Sequence, residues 1–216
     1  MNDRRRQQAY WDSVAESKTF TIPLCVETFM ALVPATAAVL DIGCGYGRIL
    51  AELSARGYSR LTGIDFSENL IRRGARLYPH LDLRVQEEAA VAFPAGSMDA
   101  VILFGVLTCI ARDEAQAFLI AEIERVLRPR GIVHVSDFLL NPDARNMARY
   151  EKHKDSSLAY GCFALEDGAL LRHHDPEYID RLLHPFQAEL YETTTYVTMN
   201  GNSSNGFSFY GRKAPA

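Results

Sequence analysis

The chain has 216 residues, 48% of them hydrophobic and 23% charged, enough for one well-packed domain with small additions but short for two full domains. A formal net charge of -4 and a single dense basic run, Arg4-Arg5-Arg6, argue against a long phosphate-tracking surface and so against a nucleic-acid partner. Four scattered cysteines fit neither a disulfide framework nor a zinc knuckle, no apolar run could cross a bilayer, and the polar start lacks a signal-peptide core; a soluble cytoplasmic protein with no membrane partner is expected.

Residues 3–18 are polar, with Tyr10, Trp11, Val14 and Ala15 at roughly helical spacing, and a second short helix is predicted between Pro23 and Pro34. Residues 1–34 are therefore read as a helical lid and 35–216 as the main domain. From Ala38 the pattern changes to a short buried strand ending at Ile42, a glycine-rich turn, and a helix over Arg48–Arg56 that Gly57 stops. The unit repeats as a strand at Leu61–Ile64 and a helix capped by Ser67 that runs to Tyr78-Pro79, followed by a third strand at Leu81–Gln86.

Asp99–Phe104 reads as a fully buried strand; Asp113 is expected to cap the next helix, which Pro129-Arg130-Gly131 ends before a strand at Ile132–Phe138. This alternation implies an α/β fold, a doubly wound and mostly parallel sheet covered on both faces. After Asn141 the rhythm gives way to a polar, histidine-bearing stretch. A helix follows near Pro176–Leu183, then two β-rich runs, Glu189–Thr198 and Gly206–Arg212, joined by a hairpin connection at Met199–Asn205.

The chemistry concentrates at the first strand's end. Gly43-x-Gly45-x-Gly47 lets backbone amides approach a ligand and aims a helix N-terminus at it. The dinucleotide fingerprint would need its third glycine where Arg48 stands, and no Gly-Lys-Ser/Thr follows, so neither a pyrophosphate site nor a P-loop is expected. Asp65, at the end of the second strand, is placed to accept hydrogen bonds from two ribose hydroxyls. Asp41, at the end of the first, could face an ammonium group directly or through water.

These residues resemble the class I S-adenosylmethionine-dependent methyltransferases, over about Val39 to Phe138. Val39–Gly47 is similar to the family's first motif and Gly63-Ile64-Asp65-Phe66-Ser67 to its ribose-holding second strand. Ala92–Val101 resembles the approach to the fourth strand, and Val126–Gly131 the turn into the fifth. The resemblance implies a Rossmann-like methyltransferase fold with a seven-stranded sheet, S-adenosylmethionine as cofactor, and an acidic residue near adenine from Glu87-Glu88-Ala89, with Glu88 favoured. It places Phe66 against adenine and Phe104 and Gly105 beside the methionyl part. Tyr10, Trp11 and Phe20 are read as either folding over the site as a lid, since closure that excludes water favours transfer, or simply packing an amphipathic helix.

The expected function is methyl transfer to O, N or S of a small molecule by in-line displacement, with a non-catalytic cofactor-binding partner as the alternative. If the acceptor must lose a proton, a histidine is the natural base. His173 and His174 precede the Asp175-Pro176 helix start and are expected on the ligand side, one of them serving the acceptor, unless both simply belong to a hydrogen-bonded helix start. Cys109 lacks the proline that precedes a pyrimidine-methylating nucleophile and is read as a structural thiol. The Asn/Asp-Pro-Pro-aromatic signature of base amino-group methylation is absent, and no metal is expected. The oligomeric state is not legible.

Overall fold

A computed structural model describes residues 3–154 and 158–215. Helices α1 (Asp3–Val14) and α2 (Val26–Leu32) precede an alternating run: β1 (Ala38–Ile42), α3 (Arg48–Ser54), β2 (Arg60–Asp65), α4 (Glu68–Leu77), β3 (Asp82–Val85) and β4 (Met98–Phe104). A 3-10 turn (Leu107–Cys109) leads to α5 (Asp113–Val126) and β5 (Leu127–Phe138); α6 (Ala144–His153), β6 (Cys162–Ala164), β7 (Leu170–Arg172), α7 (Pro176–Leu183), β8 (Phe186–Val197) and β9 (Ser203–Lys213) complete the chain.

The main sheet has seven strands in the order β3-β2-β1-β4-β5-β9-β8, parallel through β5, with β9 antiparallel to both β5 and β8. Both faces are covered, and β1 shows how. Leu40 and Ile42 enter one apolar layer with Leu119 and Ile123 of α5 and Ile179 of α7, while Val39 enters the opposite layer with Phe29 of α2 and Leu50 and Leu53 of α3. Each such side chain, fully removed from water, stabilises the fold by roughly 1.5–3 kcal/mol before the cost of ordering it.

Strand order reverses between β1 and β4, so their carboxyl ends diverge and leave a crevice at the topological switch point. Asp41 and Gly105 flank it. The N-terminal segment is tied across this end of the sheet. Asp12 accepts the Ser67 hydroxyl at 2.6 Å and the Asn69 amide at 3.1 Å, and Arg73 donates to the carbonyls of Ala15 and Lys18, both at 2.7 Å.

Several local expectations differ. Arg112, not Asp113, is the N-cap residue of α5, and Asp113 is instead ion-paired with Arg172 at 2.6 Å. The chain leaves α5 at Val126 and is already extended at Leu127, so the Pro129-Arg130-Gly131 segment lies within β5, with Arg130 left-handed at φ 65°. The polar stretch after Asn141 folds into α6 and the β6–β7 hairpin. Asp143 starts α6 by accepting the Asn146 amide at 3.2 Å, while Asn146 and Tyr150 of that helix are buried. Among the described residues no helix is long and apolar enough to cross a membrane.

Candidate active site

Asp65 is held by the backbone around it. One carboxylate oxygen accepts the Gly45 amide at 2.9 Å and the other the Ser67 amide at 2.8 Å, and the Ser67 hydroxyl caps α4. Burial pushes its carboxyl up to about 6, against the opposing pull of these amides. Asp41 is 1% exposed, and its Oδ1 has no hydrogen-bond partner among the described residues. Burial first, and the charge of Asp65 second, push its carboxyl up to about 8.

The glycine loop works differently from expectation. The Gly43 and Cys44 amides donate to the Ile64 carbonyl at 2.8 and 3.1 Å, and the Gly45 amide goes to Asp65, so these donors are spent inside the fold. What the glycines supply is room. A Cβ at Gly43 would lie 2.4 Å from Val106, and one at Gly45 2.2 Å from the Phe20 ring, at φ values of 73° and 56° that L side chains rarely adopt. Gly43 and Gly105 border the cavity; Gly45 and Gly47 stand behind it, Gly47 as the left-handed N-cap of α3.

A cavity of about 740 Å³ runs from Asp41 and Asp65 past Gly105 to Phe163 and His173. Tyr10 and Trp11 of α1 line it, and Phe66, Glu88, Ala89 and Phe104 line it too, whereas Glu87 does not. Trp11 packs edge-on against Tyr10 and Phe20, and Phe20 stacks on Tyr46 with centroids 5.0 Å apart, placing an aromatic cover against the glycine loop. Arg4 of α1 donates to the Glu88 carbonyl at 2.7 Å and Gln8 to that of Phe66 at 2.9 Å, fastening the helix to the nucleoside end.

The two histidines separate. His173 lines the cavity, with Nδ1 2.7 Å from the Tyr150 hydroxyl. Burial, then the charges of Arg149 and Arg145, pull it down to about 4, so it is neutral near pH 7. His174 is fully buried outside the cavity: Nδ1 meets the Phe138 carbonyl at 3.1 Å and Nε2 the Gln116 side-chain amide at 2.9 Å. Its expected place on the ligand side is therefore corrected, because the β7–α7 junction turns successive side chains to opposite surroundings. Cys109 borders the cavity beneath Trp11, and burial and Asp137 push its thiol up to about 12, a poor nucleophile.

Residues 39–131 match a family model described as a methyltransferase domain. A probable S-adenosylmethionine-dependent methyltransferase of Mycolicibacterium smegmatis is 37% identical over 45% of this chain and 37% of its own length. A ubiquinone biosynthesis O-methyltransferase of Xanthomonas axonopodis is 34% identical over 64% of this chain and 60% of its own. Residues 39–131 thus carry a methyltransferase domain, and these similarities support a class I S-adenosylmethionine-dependent methyltransferase.

A solved S-adenosylmethionine-dependent methyltransferase of Methanosarcina mazei shares this methyltransferase fold, with a TM-score of 0.82 at 23% identity, over 88% of this chain and 98% of that one. The chain spans about a third to three fifths of the length of the curated relatives it matches, and their names also include an EEF1A lysine methyltransferase from Danio rerio. The family's cofactor is S-adenosylmethionine. The residues present fit it: an orphaned buried carboxylate oxygen at Asp41 suits a cationic ligand group, and Gly105, where a Cβ would meet nothing within 4 Å, leaves its approach open.

The sequence pattern did not single out Phe138, Phe163, Arg145 or Arg149, which line the far end of the cavity. Among them only the arginines on α6 had a signal available, their i, i+4 spacing behind the Asp143 cap.

Proposed function

We propose that this protein catalyses methyl transfer from S-adenosylmethionine to an O, N or S atom of a small molecule. The observation that carries this reading is one continuous cavity, anchored at Asp41 and Asp65 and extending beyond Gly105 into an aromatic-walled end beneath α1. Such a space accommodates a cofactor and a compact acceptor end to end, with water excluded by Tyr10, Trp11 and Phe20.

In this reading Asp65 receives the ribose hydroxyls and Asp41 the ammonium of the methionyl part. Phe66 lies along adenine, Glu88 and Ala89 border its edge, and Phe104 and Gly105 flank the sulfur. When bound, S-adenosylmethionine supplies a methyl group that is already electrophilic. The protein's work is then alignment and dehydration, which can lower a barrier by roughly 7–11 kcal/mol when reacting atoms are held in line.

His173 supplies a polar atom to the acceptor end. With Nδ1 accepting from the Asn141 side-chain amide at 3.2 Å and lying 2.7 Å from the Tyr150 hydroxyl, the neutral ring carries its proton on Nε2, the atom left to donate a hydrogen bond to the acceptor. Residues 1–34 act as a lid over the domain formed by 35–216.

The test is methyl transfer from radiolabelled S-adenosylmethionine by the purified protein across panels of small molecules and of intact proteins. Labelled small-molecule product supports the proposal; product only on protein would move the acceptor class. Tight cofactor binding with no product in either panel would favour a non-catalytic binding partner.

A further inference from the structure

The acceptor end carries a charge pattern that runs against the chain as a whole. Although the net charge is -4, Arg145 and Arg149, one helical turn apart on α6, both line the cavity. The Arg149 guanidinium lies over Phe163, 5.2 Å from the ring centroid. It makes no ion pair among the described residues, and its one hydrogen bond is a long 3.5 Å contact with the Asn146 side chain. Arg145 reaches only the outer edge of Asp143 at 3.9 Å, and that carboxylate is already engaged by Asn146 through both of its oxygens.

The other charged groups do not cancel this pair. Lys18 is shared between Asp167 at 3.4 Å and Asn200 at 3.2 Å, and Arg112 and Glu114 enter together from the start of α5. The wall between the arginines and the cofactor end is aromatic: Phe163 meets the His173 ring at 4.8 Å and Phe138 meets it at 5.6 Å. Both arginines are near enough to this ring to lower it, after burial and against the opposing charge of Asp143. A pair of guanidiniums beside apolar rings suits a flat organic anion, since arginine pairs with carboxylates in plane and stacks on aromatic faces.

We propose that the acceptor is a small carboxylic acid with an apolar, ring-containing body, its carboxylate held by Arg145 and Arg149 and its body lying between Phe138 and Phe163. This rests on the reading of the cavity as a methyltransferase site and names the substrate class within it. Arginine pairs also take phosphate, so a phosphate ester is the competing anion, which phenyl phosphate tests.

The test is calorimetric binding of 4-hydroxybenzoate, 4-hydroxycinnamate and indole-3-acetate, each beside its methyl ester, with phenyl phosphate as a further arm. It is run on the whole protein with and without saturating S-adenosylhomocysteine. At least one acid is expected to bind tenfold or more tightly than its ester. That preference should vanish in R145M/R149M while melting temperature and S-adenosylhomocysteine affinity stay unchanged. Esters binding as well as acids, absence of acid binding in all pairs, tighter binding of phenyl phosphate, or a preference that survives the double substitution would each overturn the proposal. Loss of S-adenosylhomocysteine binding by the unaltered protein would instead refute the cofactor reading, and the acid–ester comparison without cofactor would still decide this one.

Discussion

Asp65 and Gly45 are joined by a 2.9 Å hydrogen bond from the loop amide to a buried carboxylate, and Phe20 lies where a Gly45 side chain would have to go. Ribose-side carboxylate, glycine loop and N-terminal cover are thus one packed unit. Gly45→Ala would strain a left-handed residue and displace Phe20, at a combined cost of about 1–3 kcal/mol. The expected outcome is a melting temperature lower by several degrees together with weaker S-adenosylhomocysteine binding, measured by thermal shift and calorimetry.

Asp41 predicts a stability that depends on pH in an unusual direction. Its folded carboxyl sits near 8, above the ordinary value of 3.8, so the folded state holds the proton more tightly than the unfolded chain. The group therefore favours folding most below about pH 4 and loses that contribution as pH rises towards 8. Asp41→Asn removes the buried charge. Its melting temperature should exceed the native protein's by a margin that widens from pH 5 to 8 and is flat above, while its cofactor affinity falls at least tenfold. A margin that shrinks with rising pH would contradict the assignment.

The helix α1 predicts a separation between folding and catalysis. Trp11 packs on Tyr10, Phe20 and the region of Cys109 but is not part of the two large sheet-covering layers. Trp11→Ala is expected to leave the core folded by circular dichroism, to raise the KM for S-adenosylmethionine, and to reduce kcat by roughly tenfold or more through water entering the cavity. An unchanged kcat would remove the closing role.

Adjacent histidines should behave oppositely. His174→Ala removes a fully buried ring together with its bonds to the Gln116 side chain and the Phe138 carbonyl, leaves a cavity, and should lower stability by about 1–3 kcal/mol. His173→Ala should fold normally and lower turnover. Because His173 titrates near 4, the native enzyme's kcat should show no histidine limb between pH 6 and 8, whereas a limb there that His173→Ala abolishes would contradict its neutral state.

Cys109 offers a control. With its thiol pushed up to about 12, Cys109→Ser should retain methyl transfer within a few-fold, measured by product formation; loss of a covalent, thiol-dependent activity would be incompatible with this environment.

The inner parallel strands β1, β2 and β4 were legible because they are short, largely buried and punctuated by glycine or a helix cap: Val39–Ile42, Ile64 and Val101–Leu103 read directly as buried strands. Asp41 and Asp65 were legible for the same reason, since a polar residue closing such a strand has few places to point. The segment 142–175 was not. Its helix buries Asn146 and Tyr150, and its hairpin places His173 and the buried Arg172 by long-range pairing with Gly161 and Asp113, contacts that no local periodicity encodes. Glu87 and Glu88 stood side by side in the sequence, and only the course of the chain beyond β3 turns the second into the cavity.

The most direct test of the account is a titration of S-adenosylhomocysteine into the native protein and into Asp65→Ala, with NADH as the competing nucleotide. The account predicts one-site binding of S-adenosylhomocysteine, weakened at least tenfold by Asp65→Ala, and no binding of NADH. Equal affinity in the two proteins, or binding of NADH in place of S-adenosylhomocysteine, would contradict it.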